Sequence, residues 1–173
     1  MDTPTFSGTS SDVAKAQALY ELIARQPFFQ GLKNPQLQLL TESAMEMQFA
    51  EGEIILQEGG PANRFYVILQ GKVAFELEVD SNGTKLLIQT LGPGDDIGWS
   101  WLFPPYSVHV GARALAPTKT IFFYGTRLRE QCEQDHELGY QLMKRIAEEA
   151  TQSLQFTQQS LIACLDINKI PKS

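Results

Sequence analysis

Apolar residues spaced three and four apart open the chain, and after residue 46 they give way to short alternating runs broken by glycine and proline. In the first stretch Val13, Ala16, Leu19, Tyr20 and Ile23 share one helical face, and Ser10, Ser11 and Asp12 offer cap chemistry ahead of a helix over Val13 to Arg25. Gln26-Pro27 stops it, because proline brings no backbone N–H to a continuing helix. A second helix is predicted from Pro35 to Ala44, with proline in its first turn and Leu37, Leu40 and Met45 facing inward.

From Met47 to Tyr124 the texture is that of short β-prone runs at near-regular spacing, which predicts an antiparallel roll or sandwich. The clearest hairpin joins Val73–Val79 to Lys85–Gln89 and is expected to turn at Asn82-Gly83, a pair that readily takes positive φ angles. Gln70-Gly71 and Pro93-Gly94 turn the neighbouring strands. Beyond them, Arg127 to about Leu165 contains no proline and carries Leu138, Leu142, Ile146, Ala150, Leu154, Leu161 and Leu165 on one stripe. As a single helix it would be nearly ~60 Å long, overhanging a domain of this size, so a partner helix is the expected cover and a homodimer follows. Glu149 and Gln158 interrupt a strict heptad along it. The fold class is therefore α+β, mainly β: an antiparallel β-roll flanked by N-terminal helices and a long C-terminal helix. The divisions fall at 1–11 (a mobile tail), 12–46 (helical), 47–125 (roll), 126–166 (long helix) and 167–173 (tail).

Composition narrows the function classes. With 173 residues and 43% apolar content the chain can bury one core, and a net charge of −6 provides no basic field for nucleic acid or an anionic membrane. No apolar run approaches the ~20 residues of a bilayer span, and the N-terminus lacks a signal-peptide pattern, so the expected address is cytoplasmic, with no membrane partner. Cys132 and Cys164, read on one helix, stand about 48 Å apart and cannot form an intrachain disulfide.

Catalytic chemistry is hard to find. His109 and His136 are too few, and too far apart in the predicted elements, to make a metal site, and no cofactor is expected. Asp95 and Asp96 are adjacent on a strand and face opposite ways, so they suit the closing of the Gly92-Pro93-Gly94 turn better than acid–base work. The glycines of that turn miss the dinucleotide-binding spacing by one residue. No nucleophile has a credible base.

Five short motifs recur in order: Gly52-Glu53-x-Ile55, Glu58-Gly59-x-Pro61-Ala62, Tyr66-Val67-Ile68, Gly71-x-Val73 and Leu91-x-Pro93-Gly94-Asp95. In that register the chain resembles the cyclic-nucleotide-binding domain family, most closely its bacterial catabolite-activator branch, from about Gln26 to the C-terminal helix. The resemblance implies a regulatory or sensor module rather than an enzyme. In that family a segment of the type Phe-Gly-Glu-Leu-Ala, followed by Pro-Arg-Ala-Ala, grips the cyclic phosphate. Backbone N–H groups at a short helix face the anion, the glutamate binds the ribose hydroxyl, and the arginine pairs with the phosphate.

Laid without a gap onto Gly92 to Ala114, the family glycine falls on Gly98, the glutamate on Trp99 and the arginine on Val108. Arg113 and His109 have the wrong strand parity to replace the arginine unless a bulge near Pro105 intervenes. The candidate pocket is thus Gly98, Trp99, Ser100, Trp101, Leu102 and Val108, with Ser100 as its remaining polar handle. Ordinary binding of cyclic AMP or cyclic GMP is not expected. Two readings stand at this point: a sensor for an unidentified small molecule, and a ligand-free dimeric scaffold. A deep cavity lined by Trp99, Ser100 and Trp101 favours the first. Regulators of this branch carry a helix-turn-helix after the long helix, whereas this sequence ends there, so direct nucleic-acid binding is not expected and any transcriptional role would act through another protein.

Overall fold

The computed structural model describes residues 6–164, in which eight strands form two four-stranded antiparallel sheets with helices before and after them. The strands are β1 (Ala44–Phe49), β2 (Ile54–Leu56), β3 (Arg64–Gln70), β4 (Val73–Glu78), β5 (Lys85–Leu91), β6 (Asp96–Ile97), β7 (Gly111–Ala114) and β8 (Thr118–Tyr124). Sheet A has the order β1-β8-β3-β6 and sheet B the order β2-β7-β4-β5. The expected α+β fold with an antiparallel roll and a long C-terminal helix is what the chain adopts.

Strand alternation decides where each layer packs. Along β3, Tyr66 and Ile68 point into the roll and meet Phe122 of β8 and Ala112 of β7, while Phe65 and Val67 point outward to the helices. The centre of sheet A is therefore buried on both faces, and β3 and the second half of β8 read as continuous apolar runs rather than as alternating ones. The outer face is covered by α1 (Ser10–Ala24), α2 (Asn34–Glu42), α3 (Gly125–Gln134) and α4 (His136–Cys164), through residues such as Ile23, Leu40, Leu128 and Leu142.

Several local expectations are corrected. Helix α1 starts at Ser10 because the Thr9 hydroxyl accepts the Asp12 N–H at 3.3 Å, so Thr9 and not Ser10, Ser11 or Asp12 is the cap. Phe6, read as part of a mobile tail, packs edge-on against Tyr20 with ring centroids 6.2 Å apart. Met45 is exposed on β1 rather than facing inward from α2, since the roll begins at Ala44. The hairpin between β4 and β5 closes through a longer loop than Asn82-Gly83 alone. Its last backbone bond runs from Val79 N–H to the Thr84 carbonyl, the Asp80 carboxylate accepts the Asn82 and Thr84 N–H groups, and Gly83 has φ +79°. Asx-turn chemistry at Asp80 displaces the two-residue turn.

The C-terminal helix is also two helices rather than one from Arg127. Asp135 takes an extended conformation and accepts the Leu138 N–H at 3.0 Å, capping α4, while its other oxygen accepts from Gln36 Nε2 at 3.1 Å. That second bond anchors the break to α2. Cys132 and Cys164 thus lie on different helices, and burial pushes the Cys132 thiol up to about 11, which keeps it protonated. The predicted stripe divides accordingly. Leu138, Leu142 and Ile146 are buried against sheet A, whereas Leu154 and Leu161 are exposed. Leu165 and the tail at 167–173 lie outside the described residues, as does the start of the N-terminal tail at 1–5.

The turn between β3 and β4 tucks beneath β8 at Gly71. Its φ is +107°, and a Cβ there would lie 2.5 Å from Thr118 Oγ1 and 2.7 Å from the Pro117 carbonyl oxygen. Gly71→Ala should therefore cost about 1–3 kcal/mol of stability, read as a lower urea midpoint with an unchanged slope. An unchanged midpoint would contradict this packing.

Candidate functional site

The segment that resembles a phosphate cassette starts at a self-closed turn. The Asp95 carboxylate accepts the Gly92 N–H at 2.8 Å, and Gly94 N–H donates to the Ile68 carbonyl at 2.8 Å, laying β6 against β3. At Gly98 the backbone has φ +92°, and a Cβ would come within 2.4 Å of the Arg64 carbonyl oxygen. Only glycine allows that approach, which swings the chain into the 3₁₀ turn Trp99–Leu102. The close approach of glycine is thus kept even though the residues after it differ from the family pattern.

The predicted pocket residues do not converge. Trp101 is fully buried in the helix-facing core beside Phe65, at a centroid distance of 6.2 Å. Gly125 at the start of α3 lies so close that a Cβ there would meet Trp101 Cβ at 2.6 Å. Leu102 packs into the same core, and Ser100 is partly exposed on the turn. Val108 sits on the far side, in the roll interior with Tyr66, Ile68 and Phe122, and its backbone pairs with Gly60 and Gly59 at 2.9 and 2.8 Å. Trp99 lines a groove while Trp101 is fully buried in the helix-facing core, so these neighbours are sent to different places rather than to one shared deep cavity.

Arg113 and His109 occupy the positions their parity implies. Ala112 and Ala114 face the roll interior, so Arg113 faces the other way, where its guanidinium makes a two-pronged ion pair with Glu76 (Nε to Oε2 at 3.1 Å). That partner holds the Glu76 carboxyl below the usual carboxylate range. Beside this pair the opening lined by Glu58 and Gly111 has a volume of about 10 Å³, barely a water's worth of space. His109 is exposed.

A groove that touches the cassette lies between the roll and α4. It has a volume of about 280 Å³ and is lined by Phe75, Leu91, Asp96, Trp99, Glu149 and Phe156, among others. A second opening of the same volume shares Asp96, Glu149 and Gln152 with it. Asp96 is in register with Val67 on β3 and so faces the helices. It was expected to help close the turn, but Asp95 does that alone and Asp96 is 9% exposed beneath α4. Burial, with Glu149 and Asp95 adding negative charge, pushes the Asp96 carboxyl up to about 7. Burial likewise raises Glu149. The signal for this groove was present in the sequence: strand parity separates Asp95 from Asp96, and Glu149 breaks the heptad where α4 crosses β6.

From the other side, α3 holds the cassette. Arg129 donates to the Trp101 carbonyl and lies 4.4 Å over the Tyr106 ring. The 3₁₀ turn is thereby tied to α3.

Among the described residues no group of three or more histidine, cysteine or carboxylate side chains could hold a metal ion, and no helix is long and apolar enough to cross a membrane. Comparison with known proteins gives a consistent assignment. The sequence is 27% identical over 127 residues to a CRP-like cAMP-activated global transcriptional regulator of Mycobacterium tuberculosis, a match that covers 73% of this chain and 56% of that one. The chain thus spans about half the length of that relative. A putative cyclic nucleotide-binding protein from Geobacter metallireducens superposes with a TM-score of 0.69 at 28% identity, over 78% of this chain and 96% of the other. A cyclic nucleotide-binding domain from Methylobacillus flagellatus shares the fold at a TM-score of 0.72 and 17% identity, over 88% and 85% of the two chains. Residues 46–135 match the cyclic nucleotide-binding domain as a family, and with the two-sheet roll, the close approach at Gly98 and the helical cover in place, the chain belongs to that family.

Proposed function

We propose that this domain is a non-catalytic, cytoplasmic regulatory module that senses a small molecule other than cyclic AMP or cyclic GMP and relays its state through α4. The observation that carries the reading is Val108. It stands where the family arginine would pair with phosphate, and it is buried in an apolar core with its backbone engaged by Gly59 and Gly60. Arg113 is committed to Glu76, and Trp99 stands at the ribose glutamate position. A hydrogen bond to a charged group contributes about 1.5–3 kcal/mol, and a desolvated phosphate left without its cation loses as much again. The groove between roll and helix supports a sensor more than a filled scaffold.

A second copy of this chain is the proposed partner of α4. Its exposed side carries Tyr140, Met143, Ala147, Ala150 and Leu154 at steps of three and four, with Leu161 one heptad on. This seam lies beside the Leu138-Leu142-Ile146 stripe that packs on sheet A, so one helix serves both surfaces. Burying a leucine-sized side chain contributes about 1.5–3 kcal/mol, and several per helix offset an association cost of roughly 4–15 kcal/mol.

Titration calorimetry with cyclic AMP and cyclic GMP should give dissociation constants weaker than about 1 mM. A micromolar constant for either would overturn the reading of Val108 and Trp99. In sedimentation at micromolar concentration the protein should run as a dimer and Leu154→Glu as a folded monomer. A monomeric unmutated protein would remove α4 as the dimer seam.

A further inference from the structure

Asp96 presents a problem that no neighbouring side chain solves. Its Oδ2 atom is buried with no hydrogen-bond partner, on the helix-facing side of the edge strand β6. Such an orphan is costly, because the carboxylate has given up water without receiving a donor in return. The nearest cations are engaged elsewhere. Arg145 donates to the carbonyls of Gln141 (2.8 Å) and Gln30, and Lys144 lies 4.0 Å from Glu148. Instead α4 brings Glu149, a second carboxylate, to the same two openings.

A buried carboxyl at Asp96 with an unused acceptor, beside the more exposed Glu149 carboxylate, calls for a positive charge from outside. A metal ion is disfavoured, since among the described residues no cluster of three ligating side chains is present. The walls are mixed: Gln89, Gln152 and Ser153 are polar, while Phe75, Leu91, Trp99 and Phe156 give an aromatic and apolar part beside Asp96. An ammonium group carried on a carbon body fits both halves, with N–H donors toward the carboxylates and a cation–π surface at Trp99. A volume of about 280 Å³ is about nine water volumes, room for roughly ten non-hydrogen atoms.

We propose that the groove between the β-roll and α4 is a binding site for a small organic amine, whose protonated nitrogen donates to Asp96 Oδ2 and to Glu149 while its apolar part lies against Trp99 and Phe156. The inference rests on the sensor reading above and names its ligand class. Because β6 and the 3₁₀ turn supply one wall and α4 the other, an occupant bridges roll and helix and fixes their spacing. Burial holds the Asp96 proton until pH approaches about 7, while an alkyl ammonium stays charged well above that, so affinity should rise with pH through this window. The charged groups facing Asp96 are Glu149, Glu148, Lys144 and Arg145 from α4 and Asp95 from the preceding turn.

The test uses phenethylamine against phenethyl alcohol, its neutral counterpart, with calcium chloride as a third arm, followed by calorimetry and tryptophan emission on the full chain. The amine should bind with a sub-millimolar constant and shift the emission of Trp99, the alcohol should bind about tenfold to a hundredfold more weakly, and affinity should increase from pH 6 to pH 8. Asp96→Asn should remove the preference for the amine and its pH dependence. If that variant does not fold, Glu149→Gln, placed on the outer helix, should weaken the amine by about tenfold and leave the alcohol unchanged. Equal binding of amine and alcohol, saturable calcium binding without amine binding, or no response to any of the three overturns the proposal. Such a failure leaves the sensor reading intact, since only micromolar binding of cyclic AMP or cyclic GMP contradicts that reading.

Discussion

Asp96 stands on the edge strand of sheet A, on the face that the helices cover, where it is 9% exposed and no protein donor reaches its Oδ2 atom. The constraint comes from the sheet itself. Because β3 is apolar on both sides, β6 must pair with it in a register that points Ile97 into the roll and Asp96 toward α4. The chain answers by keeping the proton: the carboxyl is pushed up to about 7 by burial and by Glu149 and Asp95. The sign of the linkage follows. The folded state holds a proton that an unfolded carboxyl releases near pH ~3.9, so this group's contribution to stability is complete at low pH and is lost as pH rises through about 7. The junction between roll and helix is therefore the part of the molecule where charge and packing are most tightly linked.

The backbone framework of the family is kept in this chain. Gly98 is still required, since a side chain there would collide with the Arg64 carbonyl, and Arg129 and Gly125 still lock the following turn to α3. Within that segment Trp99 lies at the groove and Val108 lies inside the roll.

Much of the fold was legible because it depends on local rules. The short β-prone runs of β3 and β8, the glycine turns at Gly71 and Gly94, and the buried faces of α1 and α2 follow from composition, period and turn chemistry. What escaped was set by tertiary partners. The break at Asp135 depends on Gln36 arriving from α2, and the loop at Asp80 depends on a side chain outcompeting the Asn82-Gly83 turn. The division of the C-terminal stripe required knowing how far the roll extends beneath it. The candidate site was legible in outline and misplaced in detail. Residues 99 to 101 look like one lining in sequence, yet the 3₁₀ turn sends Trp99 to the groove and Trp101 to the core. Asp96 was visible as a residue facing away from Asp95, but its importance appears only once α4 is laid over it.

The carboxyl carbon of Asp96, followed by NMR in protein labelled with carbon-13 aspartate and assigned with Asp96→Asn, tests this account most directly. A titration midpoint of about 7 is the predicted result. A midpoint near the ordinary aspartate value of about 3.9 would mean that water or a cation reaches the carboxylate, and the buried junction described here would not exist.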